Sequence, residues 1–377
     1  MTFRFIHTAD WQLGKPFANF PADLAGELSA ARFTAIERIA GIAATRGASH
    51  VLVAGDVFDG EDLANATVRR ALERMAEFSS VTWVLLPGNH DPARPGGIWD
   101  RIQRFGIPTN VLPVLLPEPV VLADAVHLLS APLTTKNPGR DPTLWMDDAA
   151  TPVGALRIGL AHGSIQGFGS DGESAVLIAR ERARTAGLNY LALGDWHGVK
   201  QVAPETWYSG TPEPDRYPSN EPGYVLAVTL QGNGALTAEK LASAHFTWDK
   251  KSAALTSVSD LAVLETALTG SGASLSRNLL QVSFNGSLSL SEHASLDAWC
   301  ETWSGRLRHL DVDRSQLAVR LSETDFESLG SEGPLLDVAR SLETVAADPA
   351  HKDHAHAALA LQRLFGFAAE AVREGAA

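Results

Sequence analysis

Through the first two hundred residues, short apolar runs alternate with longer amphipathic ones, as strands and helices do in a layered α/β fold. Runs at 3–8, 50–54 and 81–86 read as strands, and the stretches 28–46 and 64–78 carry helical spacing. Further strands are expected at 120–122, 126–130, 156–161, 190–193 and 224–230. Polar, glycine-containing segments follow the strands directly: Ala9-Asp10-Trp11-Gln12, Gly55-Asp56, Gly88-Asn89-His90-Asp91, His162-Gly163 and Gly194-Asp195-Trp196-His197. Five loops therefore leave their strands at one sheet edge, where α/β folds and sandwiches build their sites.

Near residue 248 the texture shifts to Ser, Ala and Leu. A strand is expected at 278–290, a helix at 291–309, a strand at 315–322 and a helix at 334–346, which together make a small α+β unit. Beyond Asp348-Pro349, residues 351–373 read as an amphipathic helix with Leu359, Leu361, Leu364, Phe365 and Phe367 available to one apolar side. The expected division is 1–247, 248–346 and a C-terminal helix in 347–377. Prolines at 212, 214, 218 and 222 mark an irregular loop.

Composition narrows the partners. Against 31 Lys+Arg stand 44 Asp+Glu, a formal charge of −13, which argues against a broad basic surface for nucleic acid and leaves a local groove or a partner to supply one. The single cysteine, Cys300, cannot close an intrachain disulfide, and no run reaches the roughly 18 apolar residues of a membrane span. With no secretory pattern at the start, a cytoplasmic setting without membrane attachment is expected.

Asp, Asn, Gln and His on five strand-end loops can enclose two metal ions. The i, i+2 spacing of Asp10/Gln12 and of Asp195/His197 puts both side chains of each pair on one face of an extended segment. A carboxylate such as Asp56 can bridge ions held roughly 3.5–4 Å apart, an arrangement that activates water against a phosphoryl group.

The order and spacing of Asp10-x-Gln12, Gly55-Asp56-x-x-Asp59, Gly88-Asn89-His90-Asp91, His162 and Asp195-x-His197 resemble the calcineurin-like metallophosphoesterases. The opening His7-Thr8-Ala9-Asp10-Trp11-Gln12-Leu13-Gly14, the run Val53-Ala54-Gly55-Asp56-Val57-Phe58-Asp59 and Tyr208-Ser209-Gly210-Thr211-Pro212 are similar to the SbcD-type DNA repair exonuclease subunits. The resemblance implies a four-layer α/β/β/α sandwich with a small C-terminal α+β capping domain. It further implies Asp10 and His197 on a first metal, Asp56 as the bridge, and Asn89 and His162 on a second. His90 would stand beside the scissile phosphate as general acid or charge stabiliser, Asp91 would orient His90, and Asp59 would support the bridging loop. DNA as substrate, an SMC-like (SbcC-type) ATPase and a homodimer are the implied partners.

Two positions depart from that family's pattern, Gln12 and Asp195 each standing where it has histidine. If both bind metal, the shell is rich in oxygen, which favours Mn²⁺, with Mg²⁺ or iron next and Zn²⁺ disfavoured. Arg94 and Arg101 are candidates to clamp phosphate, and Trp11 and Trp196 to stack on a base. The blander readings are packing for both tryptophans, a structural hydrogen bond for His7, a solvated tract for His351, His354 and His356, and a core place for Cys300. Two other functions suit the same motifs: a phosphodiesterase of cyclic nucleotides, lipids or nucleoside phosphates, and a regulatory subunit whose metal site has lapsed.

Overall fold

The computed structural model describes residues 1–167, 176–217, 220–270, 272, 274–320, 325–326, 329, 333–348 and 350–375. The chain forms two compact units, Met1–Phe246 and Thr247–Ala377. Pro218, Pro349 and the end of the strand expected at 315–322 lie outside the described residues.

The first half of unit one runs β1 (Thr2–Thr8), α1 (Ala22–Arg46), β2 (His50–Val53), α2 (Asn65–Ala76), β3 (Thr82–Leu85), α3 (Ile98–Phe105) and β4 (Val111–Pro113). Next come β5 (Pro119–Ala123), β6 (Val126–Ala131), β7 (Leu156–His162), β8 (Ser164–Ile165) and β9 (Leu177–Ile178). It ends with α4 (Arg182–Thr185), β10 (Tyr190–Gly194), β11 (Lys200–Ala203), β12 (Thr206–Tyr208), β13 (Tyr224–Gln231) and β14 (Leu236–Ala242). Two six-stranded mixed sheets result, ordered β14-β13-β1-β2-β3-β4 and β11-β12-β10-β7-β6-β5.

Alternation along the strands builds the layers. Val51, Val53, Trp83 and Leu85 face α1, α2 and α3, while Leu52 and Val84 face the second sheet and meet Leu128, Ile158, Leu160 and Tyr190 there. The outer face of the second sheet, with Leu129, Ala161, Leu191 and Leu193, is covered by a 3₁₀ turn at Leu144–Asp147, the β8/β9 ribbon and α4. That is the four-layer sandwich, with a thin fourth layer. Strands β1, β2 and β3 run parallel, as do β6, β7 and β10. The site loops therefore leave β1, β2, β3, β7 and β10 at their carboxyl ends.

In unit two, β15 (Thr247–Leu255), α5 (Leu261–Gly270), β16 (Asn278–Leu288), α6 (Leu290–Ser304) and β17 (His309–Val319) form a three-stranded parallel sheet with helices. The helix expected to reach 309 ends instead at Gly305, and β17 begins six residues before the expected strand. Asp311 and Asp313 disfavour a strand reading, yet Leu310 and Val312 alternate onto the core of this unit. The final helices, α7 (Pro334–Ala346) and α8 (His354–Gly375), pack together through Ala339, Leu361 and Phe365. Leu359 and Phe367 are exposed, because two residues along a helix turn about 200° away from the buried face. No described helix is long and apolar enough to cross a membrane.

Candidate metal centre

The first two site loops stay paired after their strands end. Asp10 N–H donates to Gly55 O at 3.1 Å, Gln12 N–H to Asp56 O at 2.9 Å and Leu13 N–H to Val57 O at 2.9 Å. Six described non-glycine residues have positive φ, and Asp10 (54°), Gln12 (43°), Asp56 (52°) and Asp195 (101°) are four of them. Left-handed backbone is costly for most residues and tolerated best by Asp and Asn, so strain gathers where the carboxylates turn inward. A Cβ on Gly55 would lie 2.2 Å from the His162 ring, and one on Gly88 2.1 Å from Asp56 Oδ1. Only glycine lets these loops close on the site.

The third loop is pinned by a fully buried carboxylate. Gly88 N–H donates to Asp91 Oδ1 at 2.7 Å and Phe58 N–H to Asp91 Oδ2 at 3.0 Å. This corrects the expectation that Asp91 orients His90: its oxygens are taken by backbone donors. The His90 ring is held instead by the carbonyl of Asp59, 2.9 Å from Nδ1, while His90 N–H donates to Asp56 Oδ1 at 2.9 Å.

His162, wholly buried, sits between the sheets' ends with Nδ1 2.8 Å from Ala54 O and Nε2 2.7 Å from Asn89 Oδ1. A carbonyl at Nδ1 fixes the ring and turns Nε2 toward the centre. Asp56 Oδ1 lies 3.5 Å and Asp195 Oδ1 3.9 Å from Nε2. Asp10, Asp56 and His162 offer ligand atoms all within 4.8 Å of one another.

Burial raises Asp10 to about 6, against the pull of His197 and His162 and with the push of Asp56 and Asp195. Burial would lower His162, but Asp56, Asp10 and Asp195 outweigh it and hold its pKa up to about 9. An incoming dication must therefore displace the His162 proton below pH 9, and the Asp10 proton as well below pH 6. Metal affinity is expected to rise about tenfold per pH unit between those values and more steeply below them. Calorimetric titration with Mn²⁺ across pH 5–9 checks this, and a flat affinity would contradict it.

The other expected ligands fall differently. Asp195 stays at the centre's edge, its N–H donating to Asp10 Oδ1 at 3.1 Å and its Oδ2 accepting from Ser164 Oγ at 2.7 Å. His197 Nδ1 faces Asp215 Oδ1 at 3.2 Å. The Oε1 of Gln12, expected as a ligand atom, accepts from Lys15 Nζ at 3.1 Å.

Of the substrate-contact candidates, Trp11 is 2% exposed, donates to Thr8 Oγ1 and packs edge-on against Trp83. It belongs to the core and cannot stack on a base. Trp196 is half-buried against the outer core of the second sheet. Arg101 is held by the carbonyls of Leu63 and Glu61 and braces that loop instead of clamping phosphate. Arg94 is exposed and paired with Glu61. His7 is buried against Tyr190 and Leu193, and burial, opposed by the Leu193 carbonyl, lowers it to about 3, which keeps it neutral.

Sequence reasoning missed Arg32. Its guanidinium is buried within α1 and donates to the carbonyls of Trp11 (2.7 Å), Glu213 (2.9 Å) and Asp10 (3.0 Å). It joins the first site loop to the segment after β12, where the Glu213 carboxylate accepts from Arg38, His245 N–H and Phe246 N–H. An arginine inside a helical pattern reads as solvated, and only the turn residues at 209–214 hinted that backbone awaited a donor. Arg32→Met is expected to cost about 3 kcal/mol by stranding the buried carbonyls of Trp11, Asp10 and Glu213. Urea unfolding measures it; an unchanged midpoint would count against the brace.

No curated protein sequence matches the chain. Among solved structures, a purple acid phosphatase from yellow lupin (Lupinus luteus) seeds is similar at 15% identity and a TM-score of 0.38, over 64% of this chain and 52% of that one. The chain thus spans about half of that protein's length. A family model described as calcineurin-like phosphoesterase matches residues 3–199, the span that holds all five strand-end loops, and the chain belongs to that family.

Proposed function

We propose that the chain is a metal-dependent phosphodiesterase that cleaves DNA, a nuclease of the SbcD type. The observation that carries the reading is the convergence of Asp10, Asp56 and His162, with Asn89 on the His162 ring, beside a His90 whose side chain is 40% exposed. The family's chemistry is metal-dependent phosphoester hydrolysis. The donor set suits a divalent ion, since two buried carboxylates face one imidazole and no Lys or Arg side chain bonds either carboxylate among the described residues.

When bound, such an ion supplies Lewis-acid polarisation of a phosphoryl oxygen and a water made acidic enough to attack. Asp10, Asp56, Asn89 and His162 would hold it. His90 keeps Nδ1–H on the carbonyl of Asp59, so Nε2 is the atom that gives a proton to the leaving oxygen. An oxygen-rich donor set favours Mn²⁺ over Zn²⁺.

DNA as substrate rests on the likeness of residues 7–14, 53–59 and 208–212 to that nuclease subfamily. The formal charge of −13 leaves much of the grip on DNA to a local groove or to a partner, for which an SMC-like ATPase or a second copy is proposed. Assays with Mn²⁺ on single-stranded, nicked and hairpin DNA, next to a small chromogenic phosphodiester, test the reading. Hydrolysis confined to the small ester would sink the DNA assignment and leave a small-molecule phosphodiesterase.

A further inference from the structure

Fixed positive charge occupies the side of the centre that carries Gln12 and His197. Gln12 is 2% exposed, and the Lys15 ammonium that bonds its Oε1 also reaches Asp215 Oδ2 at 2.6 Å. The other oxygen of Asp215 lies 3.2 Å from His197 Nδ1 and 3.1 Å from Arg216 Nε. Two cations and an imidazole therefore share one buried carboxylate. Across the centre, the carboxylates of Asp10 and Asp56 bond no Lys or Arg side chain among the described residues, and their ligand atoms lie within 4.8 Å of His162's.

We infer that this chain takes one divalent ion instead of a pair, with Lys15 supplying the charge that a second ion would bring. The inference rests on the hydrolase reading above and deepens it. The single ion belongs with Asp10, Asp56, Asn89 and His162. A dication brought to Gln12 would meet an ammonium one hydrogen bond away from a buried amide, where water screens the repulsion only in part. An amide oxygen that already accepts from that ammonium is also a poorer ligand than the imidazole the family pattern has there. Lys15 then presents its remaining N–H to a phosphoryl oxygen on the side where the family uses metal. The sequence alone hid this, because Lys15 and Asp215 are separated by two hundred residues and belong to none of the five loop motifs.

The test is metal stoichiometry. The purified chain, equilibrated with Mn²⁺ and freed of excess by gel filtration, is expected to retain one Mn per chain by plasma mass spectrometry. Its electron paramagnetic resonance spectrum should show the hyperfine pattern of an isolated ion. The double variant Gln12→His with Lys15→Ala is expected to retain two, with the broadened spectrum of a coupled pair. Two ions on the unaltered chain, or none, would overturn the inference whether or not the variant folds. A folded variant that still holds one ion, with affinity unchanged, would overturn the role given to Lys15. One bound ion without hydrolysis of any phosphodiester would refute the hydrolase reading and leave the stoichiometry standing.

Discussion

Asp56→Asn is expected to remove the bound ion and to lower phosphodiester hydrolysis by more than about 100-fold, since even outer partners of a metal site are worth 10–100-fold. Asp56 is the carboxylate nearest to everything else in the centre: Oδ1 lies 3.5 Å from His162 Nε2 and Oδ2 3.8 Å from His90 Nε2. Asparagine has nearly the same shape and tolerates the φ of 52°, so the loop should keep its path. One oxygen also remains to accept from His90 N–H, 2.9 Å away. What disappears is the negative charge, and with it the main attraction for a dication. Metal content, hydrolysis and a melting curve on one preparation separate loss of chemistry from loss of fold. Retained metal with activity within about tenfold of the parent would refute the centre as drawn.

His90→Gln should behave in the opposite way, lowering kcat by about 10²–10⁴-fold while leaving metal content unchanged. The ring bonds the carbonyl of Asp59 through Nδ1, and the side chain is 40% exposed. If Nε2 protonates the leaving oxygen, the loss should be large on DNA, whose alkoxide leaving group needs a proton. It should shrink on a nitrophenyl phosphodiester, whose leaving group departs without one. Equal losses on both substrates would replace the proton donor with a group that only stabilises charge.

The sandwich and its loops were legible because buried strands read as apolar runs and the site residues follow them at once. Runs such as 50–54 and 190–193 needed no tertiary information. Strands at sheet edges were harder: β15 and β17 carry Lys, Asp and Arg on exposed faces, as edge strands do, and so resemble loops or helix. Within the site, residue types identified the meeting of Asp10, Asp56, Asn89 and His162, but the particular atoms engaged were beyond the sequence. Asp91 carries a family role by position, yet its oxygens serve Gly88 and Phe58 because a buried carboxylate takes the nearest unpaired backbone donors. For Trp11 the sequence left stacking and packing both open, and the turn at Asp10 puts the ring in the helix-facing core. Arg32, Lys15 and Asp215 were missed for a shared reason: each acts on a partner distant in the chain, and long-range pairing leaves no local pattern.

The left-handed turns at Asp10, Asp56 and Asp195 restrict how this protein can change. At such positions, the substitutions that preserve the backbone are chiefly asparagine and glycine, and both erase the charge. Alanine or a branched residue would damage folding along with chemistry. The mutational neighbourhood of the centre is therefore lopsided: its nearest well-folded neighbours are inert, and its nearest active neighbours are scarce. A lineage released from selection for hydrolysis would drift toward Asn and Gly at positions 10, 56 and 195 while keeping its sandwich intact. The three aspartates still present here are those such drift would erase first.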